Sequence, residues 1–299
     1  MLYLIYTSDT QNQIGTECLF EKTCKEDKQY FKDLTLKYHN VIMGRKTLES
    51  LKKPLVNRNN IILSRTNNSQ FEGGYYTSKI DFNPNQDYII AGGKEIYEMF
   101  WDKVDVVYHT IHKIPDFGGV KFEPDYSNFV LFDRTETDEL IKETWIRQPY
   151  KDLSVSFNNS SKFSKLKNET NKYIYFTQQI TASLLDNNHG IQHIATQIPS
   201  KHRFNDHSDV CVREELKAQG LVKSGEYWDK EGDIICEGCM NTNHSEYLAV
   251  KMAKNFNGGT CYLYGHYWSC QSCQEALKSI GIKNIVICKD FVKKFLNIL

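Results

Sequence analysis

Residues 41–51 read Val41-Ile42-Met43-Gly44-Arg45-Lys46-Thr47-Leu48-Glu49-Ser50-Leu51: an apolar run, a glycine, two cations and a helical pattern. A continuous apolar run without polar alternation is the mark of a strand buried on both faces, and the glycine marks a sharp turn into the helix that follows. Outward from this stretch the same alternation recurs over the first 112 residues. Strands are predicted at 2–7, 40–43, 60–64, 87–91 and 105–110, and helices at 26–38, 46–51 and 94–100. Alternation of this kind predicts an α/β domain with a mostly parallel sheet flanked by helices.

A second glycine turn, Ala91-Gly92-Gly93-Lys94, also joins a strand to a helix. Glycine lets a phosphate approach the backbone, and helix-start N–H groups attract it. Arg45 and Lys46 add charge at the first turn, and Ser64-Arg65 ends the next strand, where an Arg can hold a further phosphate. Taken singly, each motif is equally a tight turn with solvated basic neighbours. In the helix at 26–38, Asp27 shares a face with Tyr30, Phe31 and Leu34. A carboxylate there is costly without a task, although a first-turn acid also suits the helix dipole.

The chain has 299 residues, which at roughly 150 per domain predicts two domains. Its 37 basic and 37 acidic residues cancel, and the balance holds in both halves, so neither carries the electrostatic footprint of a nucleic-acid binder. No apolar run approaches the ~18 residues of a membrane span, and residues 1–7 lack the basic start of a signal peptide. Nine cysteines without a secretion signal predict a reduced, cytoplasmic setting with thiols free for metal. From 135 to about 172 the chain turns polar, which predicts an exposed insertion, followed by a last strand at 173–177. The expected domains are therefore residues 1–180 and 181–299.

The run 41–51, Pro54-Leu55, residues 58–65, Ile14-Gly15, Glu26-Asp27 with Phe31 and Thr35, Ile90-Ala91-Gly92-Gly93 with Ile96-Tyr97, and Thr110 followed by Phe122-Glu123-Pro124-Asp125-Tyr126 resemble dihydrofolate reductase, in order over residues 1–134. The resemblance implies a mixed sheet flanked by helices, NADPH as cofactor and dihydrofolate as substrate. By position, Asp27 would hydrogen-bond the pterin ring and polarise it for protonation, with Thr110 supporting the carboxylate. Arg58 would pair with the glutamate tail, and Ile5, Phe31 and Leu55 would line the substrate slot. Ile14, Gly15, Gly44, Arg45, Lys46, Thr47, Ser64, Arg65, Gly92 and Gly93 would hold NADPH. One segment departs from the family: where a Pro-Trp pair is usual in a mobile loop, this chain has Glu21-Lys22, which predicts altered turnover.

In the second half, Cys270-Gln271-Ser272-Cys273 opens a helical pattern, so both thiols point one way and favour the thiolate that binds zinc. A redox disulfide is the rival reading. His244-Ser245-Glu246 stands upstream, supplying a third ligand beside a carboxylate, and one His with two Cys leaves a fourth position open for water. The pattern H-x-E then C-x-x-C resembles the cytidine and deoxycytidylate deaminase family over roughly residues 205–290, with Ser269 where the family has proline. It implies an α/β/α zinc domain in which His244, Cys270 and Cys273 bind Zn2+ and Glu246 is the general acid/base. Cys236-Glu237-Gly238-Cys239 is a second C-x-x-C, read either as a structural zinc site with Cys211 or His266, or as a thiol-bearing turn.

The expectation is thus a fused enzyme: a reductase of dihydrofolate and a zinc-dependent deaminase of dCMP, acting on small molecules, bound to neither nucleic acid nor membrane, and forming a homo-oligomer. The two reactions flank thymidylate synthesis, which predicts functional coupling to thymidylate synthase. Three alternatives stay open: a riboflavin-pathway deaminase-reductase with reversed domain order, a reductase joined to a deaminase of other or lost activity, and a half that serves only for binding.

Overall fold

The computed structural model describes residues 1–15, 23–83, 85–113, 117–148, 150, 152–159, 163, 181–186, 190–196, 244–253, 256, 258–265 and 271–298. They form two compact units, Met1–Arg147 and Gln148–Leu299.

The first unit contains β1 (Leu2–Asp9), α1 (Lys25–Tyr38), β2 (Asn40–Gly44), α2 (Arg45–Leu51), β3 (Asn59–Leu63), β4 (Gln70–Phe71), β5 (Gly74–Thr77), β6 (Tyr88–Ile90), α3 (Lys94–Phe100), β7 (Val106–His112), β8 (Phe129–Glu136) and β9 (Leu140–Arg147). The strands lie in the order β4-β5-β3-β2-β6-β1-β7-β9-β8. The sheet is parallel from β5 to β7 and antiparallel at both ends, where β4 meets β5 and β9 lies between β7 and β8. Period two divides β1 between two cores. Leu2, Leu4 and Tyr6 join Ile42, Ile61, Ile90, Phe100 and Phe122 in one cluster. Tyr3 faces the other way and stacks on Tyr38 of α1, with ring centroids 3.8 Å apart. Each fully buried side chain of this size contributes about 1.5–3 kcal/mol, which is why the apolar runs of β1, β2 and β6 are continuous.

β6 enters between β2 and β1, so the sheet reverses its direction of growth there, and the crevice at the carboxyl ends of these strands is where such folds take ligands. Gly44 at the end of β2 donates its N–H to the carbonyl of Gly92 at 2.8 Å, joining the two glycine turns at that crevice.

Two expectations change. The stretch read as an insertion from 135 holds β9, whose Leu140, Thr144 and Ile146 are buried and whose Trp145 packs against the first core cluster. Lys142, Glu143 and Arg147 break up these apolar residues, so the segment carries no continuous apolar run. The boundary also falls at Arg147 rather than 180, because β10 (Ser154–Asn158) belongs to the second sheet.

In the second unit β10 is followed by β11 (Thr181–Asp186), β12 (Gly190–Thr196), α4 (Ser245–Met252), β13 (Gly259–Tyr264), α5 (Gln271–Ser279), β14 (Ile282–Cys288) and α6 (Lys289–Phe295). The strand order is β10-β14-β13-β11-β12, with β10, β14 and β13 parallel and β11 antiparallel to both neighbours. Ala182, Leu184, Cys261, Leu263, Leu277, Ile285 and Ile287 are buried. The predicted strand at 173–177 lies outside the described residues.

Candidate active site

α1 brings Asp27 to the sheet, where the carboxylate is only 4% exposed. Two side chains from neighbouring strands meet it. The hydroxyl of Thr7 on β1 donates to Oδ2 at 3.1 Å and approaches Oδ1 at 3.3 Å, and Nε2 of His112 on β7 lies 3.2 Å from Oδ2. The expected support from Thr110 is absent: Thr110 Oγ1 is the buried side-chain polar atom without a hydrogen-bond partner among the described residues. Thr7 stands opposite Thr110 in the β1–β7 register and takes that role. Tyr30, one turn after Asp27, is pushed up to about 12 by burial first, with the Asp27 charge a lesser cause.

A cleft of about 560 Å³ lies between α1, on the residues that follow Asp27, and residues 50–58. Phe31 and Leu55 supply apolar wall, while Lys28, Lys32, Lys52 and Arg58 line it with positive charge. Arg58 is fixed at its far end by donating from Nη1 to Thr35 Oγ1 at 2.7 Å and from Nε to the Val56 carbonyl at 3.0 Å. Thr35 is held in turn by its bond to the Phe31 carbonyl at 2.8 Å. Burial lowers the Arg58 pKa from its ordinary value, yet a guanidinium stays charged in a protein.

The glycine turns make a backbone cradle. A Cβ on Gly92 would stand 3.2 Å from the Thr47 side chain and 3.4 Å from the Tyr97 hydroxyl, and one on Gly44 would stand 3.2 Å from Ile96. The Tyr97 hydroxyl donates to the carbonyl of Ile5 at 3.0 Å, so the Ile5 backbone is tied to this cradle. Arg45 forms an exposed ion pair with Glu49. Ser64 and Arg65 follow β3 directly. Ile14 donates its N–H to Val120 at 2.9 Å, and Gly15 bridges Gly119. The preceding turn is organised by Asp9, whose carboxylate accepts the N–H groups of Gln11, Gln13 and Phe117. The segment with Glu21 and Lys22 lies outside the described residues.

The dihydrofolate reductase family profile matches residues 1–150. The chain belongs to the dihydrofolate reductase family. The match ends beside the Arg147 boundary. The chain is 30% identical over 171 residues to the dihydrofolate reductase of Bacillus subtilis (strain 168), a match covering 54% of this chain and 98% of that protein. To the dihydrofolate reductase of Mycoplasma genitalium it is 31% identical over 150 residues, covering 46% of this chain and 93% of that protein. A solved dihydrofolate reductase from Enterococcus faecalis, complexed with NADP(H), shares 26% identity at a TM-score of 0.43, covering 49% of this chain and 96% of that one.

The family motifs pointed to Asp27, Thr35, Arg58 and the glycines but not to Thr7, His112 or Asp9. Register carried the missing signal: β1 and β7 pair residue for residue, so Thr7, Asp9, Thr110 and His112 share one side of the sheet.

In the second unit, His244 immediately precedes α4 and Cys273 lies in the first turn of α5. Their Nδ1 and Sγ atoms are 3.5 Å apart. Glu246 is buried and accepts a hydrogen bond from Ser245 Oγ at 2.9 Å. Cys261 of β13 has its pKa raised by burial, with the Glu246 charge adding to it. Cys270, Cys236, Cys239, Cys211 and His266 lie outside the described residues. Among the described residues, no group of three His, Cys, Asp or Glu side chains is placed to hold a metal.

Proposed function

We propose that the first unit reduces dihydrofolate to tetrahydrofolate with NADPH. The carrying observation is the buried Asp27 carboxylate, with Thr7 and His112 behind it, beside a cationic cleft bearing Arg58. In this reading the carboxylate accepts paired N–H groups of the pterin and polarises the ring for protonation. Ile5, Phe31 and Leu55 hold the flat apolar part. Arg58 pairs with a glutamate carboxylate. The crevice fits a dinucleotide: Gly44, Gly92 and Gly93 leave room that a Cβ would fill, beside Thr47, and Arg45, Lys46, Ser64 and Arg65 bring charge and hydroxyl groups for phosphates. Ile14 and Gly15 border the nicotinamide end. NADPH, when bound, supplies the hydride; the protein contributes orientation and exclusion of water. Following NADPH oxidation with dihydrofolate tests this. Asp27→Asn is expected to keep NADPH affinity and lose turnover by ~10² or more, and parental turnover in that variant refutes the assignment.

A second reading concerns residues 148–299, favoured by the His244–Cys273 approach with Glu246 adjacent. An imidazole nitrogen and a thiol at this separation are a zinc-type donor pair, and Cys270 would complete three ligands. Zinc, when bound, supplies Lewis-acid activation of a water. Glu246 would then move the proton to the ammonia leaving dCMP, giving dUMP. Such a product feeds thymidylate synthesis, from which dihydrofolate returns to the first unit. Metal analysis of the full chain and of Cys270→Ala, with dCMP as substrate, tests it; a zinc-free wild type that leaves dCMP untouched ends this reading.

A further inference from the structure

His112 is 2% exposed, and its ring rests against Phe117, centroids 5.0 Å apart at 55°. A carboxylate oxygen accepts from a ring N–H, so the 3.2 Å contact with Asp27 Oδ2 fits the tautomer in which His112 Nε2 carries the hydrogen. Other titratable groups near His112 have tasks of their own. On β1, Asp9 stands opposite His112 in register and accepts backbone N–H groups, one of them from Phe117. On α1, Tyr30 lies beside Asp27, and Glu26 is paired with Lys142 of β9. Lys113, directly after β7, is paired with Glu136, and the residue opposite His112 on β9 is the apolar Leu140. The imidazole is therefore committed to Asp27.

We propose that His112 is a positioning residue of the reductase site, its Nε2–H orienting the Asp27 carboxylate for a substrate with paired N–H donors. Thr7 fixes the same carboxylate from β1, so two donors clamp it while its remaining acceptor positions are presented to the ligand. The inference rests on Asp27 being the carboxylate that receives the pterin.

The test uses the full chain and three variants. His112→Leu removes the donor. His112→Gln restores an N–H where Nε2 stands, whereas the amide of His112→Asn reaches only to the place of Nδ1 and falls short of Oδ2. The readouts are kcat and KM for dihydrofolate, with NADPH affinity and melting temperature alongside. His112→Leu and His112→Asn are expected to lower kcat/KM for dihydrofolate about tenfold at unchanged NADPH affinity, and His112→Gln to return it near the parental value. A role in packing alone would lower the melting temperature without that rescue by His112→Gln. Parental kcat/KM in folded His112→Leu overturns the proposal, and if that variant does not fold, parental kcat/KM in His112→Asn does so. Failure of the underlying reading looks different: Asp27→Asn then turns over at the parental rate whatever the His112 variants do.

Discussion

Gly92→Ala separates backbone strain from crowding at the dinucleotide crevice. Gly92 has φ +132°, a conformation that side-chain-bearing residues rarely adopt, which costs on the order of 1–3 kcal/mol. The added Cβ also meets Cγ2 and Oγ1 of Thr47 at 3.2 Å and the Tyr97 hydroxyl at 3.4 Å, and relief of such overpacking typically costs a further ~1–3 kcal/mol. Together these amount to roughly 2–6 kcal/mol, and at about 2–4 °C per kcal/mol the melting temperature of the first unit falls by roughly 4–24 °C. Gly118→Ala is the control. Its φ is +66° but no atom stands within 4 Å of the new Cβ, so only the left-handed strain of about 1–2 kcal/mol applies. Thermal melts with and without NADPH read both effects. Because Thr47 and Tyr97 must shift, the stabilisation given by NADPH is expected to shrink in Gly92→Ala and persist in Gly118→Ala. Equal melting temperatures and equal NADPH stabilisation in the two variants refute the reasoning.

Arg58→Leu is expected to raise KM for dihydrofolate by roughly 10- to 150-fold, the equivalent of a ~1.5–3 kcal/mol charge-assisted bond, with kcat little changed; steady-state kinetics on a pterin lacking the glutamate tail should show no such penalty. His109 is buried against Tyr6 and Ser8, and desolvation lowers its pKa from 6.5 to about 3. Its neutral form is thus favoured in the folded state: stability is full above pH 6.5 and is lost as pH falls toward 3, by up to ~1.4 kcal/mol per unit, and denaturant titrations of His109→Phe should show a flatter decline over that window. Glu246→Gln is expected to retain zinc and lose deamination of dCMP by ~10² or more while dihydrofolate reduction stays at the parental rate, as metal analysis and paired assays would show.

The parallel part of the first sheet was legible because strands buried on both faces leave unbroken apolar runs, as at Val41-Ile42-Met43 and Tyr88-Ile89-Ile90. β4 and β5 were not, since Gln70–Phe71 and Gly74–Thr77 are short, half-buried edge elements with little apolar signal. Leu140–Arg147 hid for the related reason that Lys142, Glu143 and Arg147 interrupt its apolar residues. At the site, Asp27 stood out as an acid on an apolar helix face, and Arg58 through its family motif. Thr7 and His112 carry no motif, and their roles emerge only from the pairing of β1 with β7, a tertiary fact that spacing along the chain does not encode.

β10 pairs in parallel with β14, Ser154 opposite Asn284. On the ribosome, the strand that completes one edge of the second sheet is therefore made first, and waits while nearly the whole unit is translated before its partner emerges. Closure of so long a loop slows folding more than it lowers stability. It also dictates where the gene can be cut: a fragment starting at 181 lacks β10 and leaves β14 as a bare edge open to pairing with other chains, whereas one starting at 148 keeps it covered.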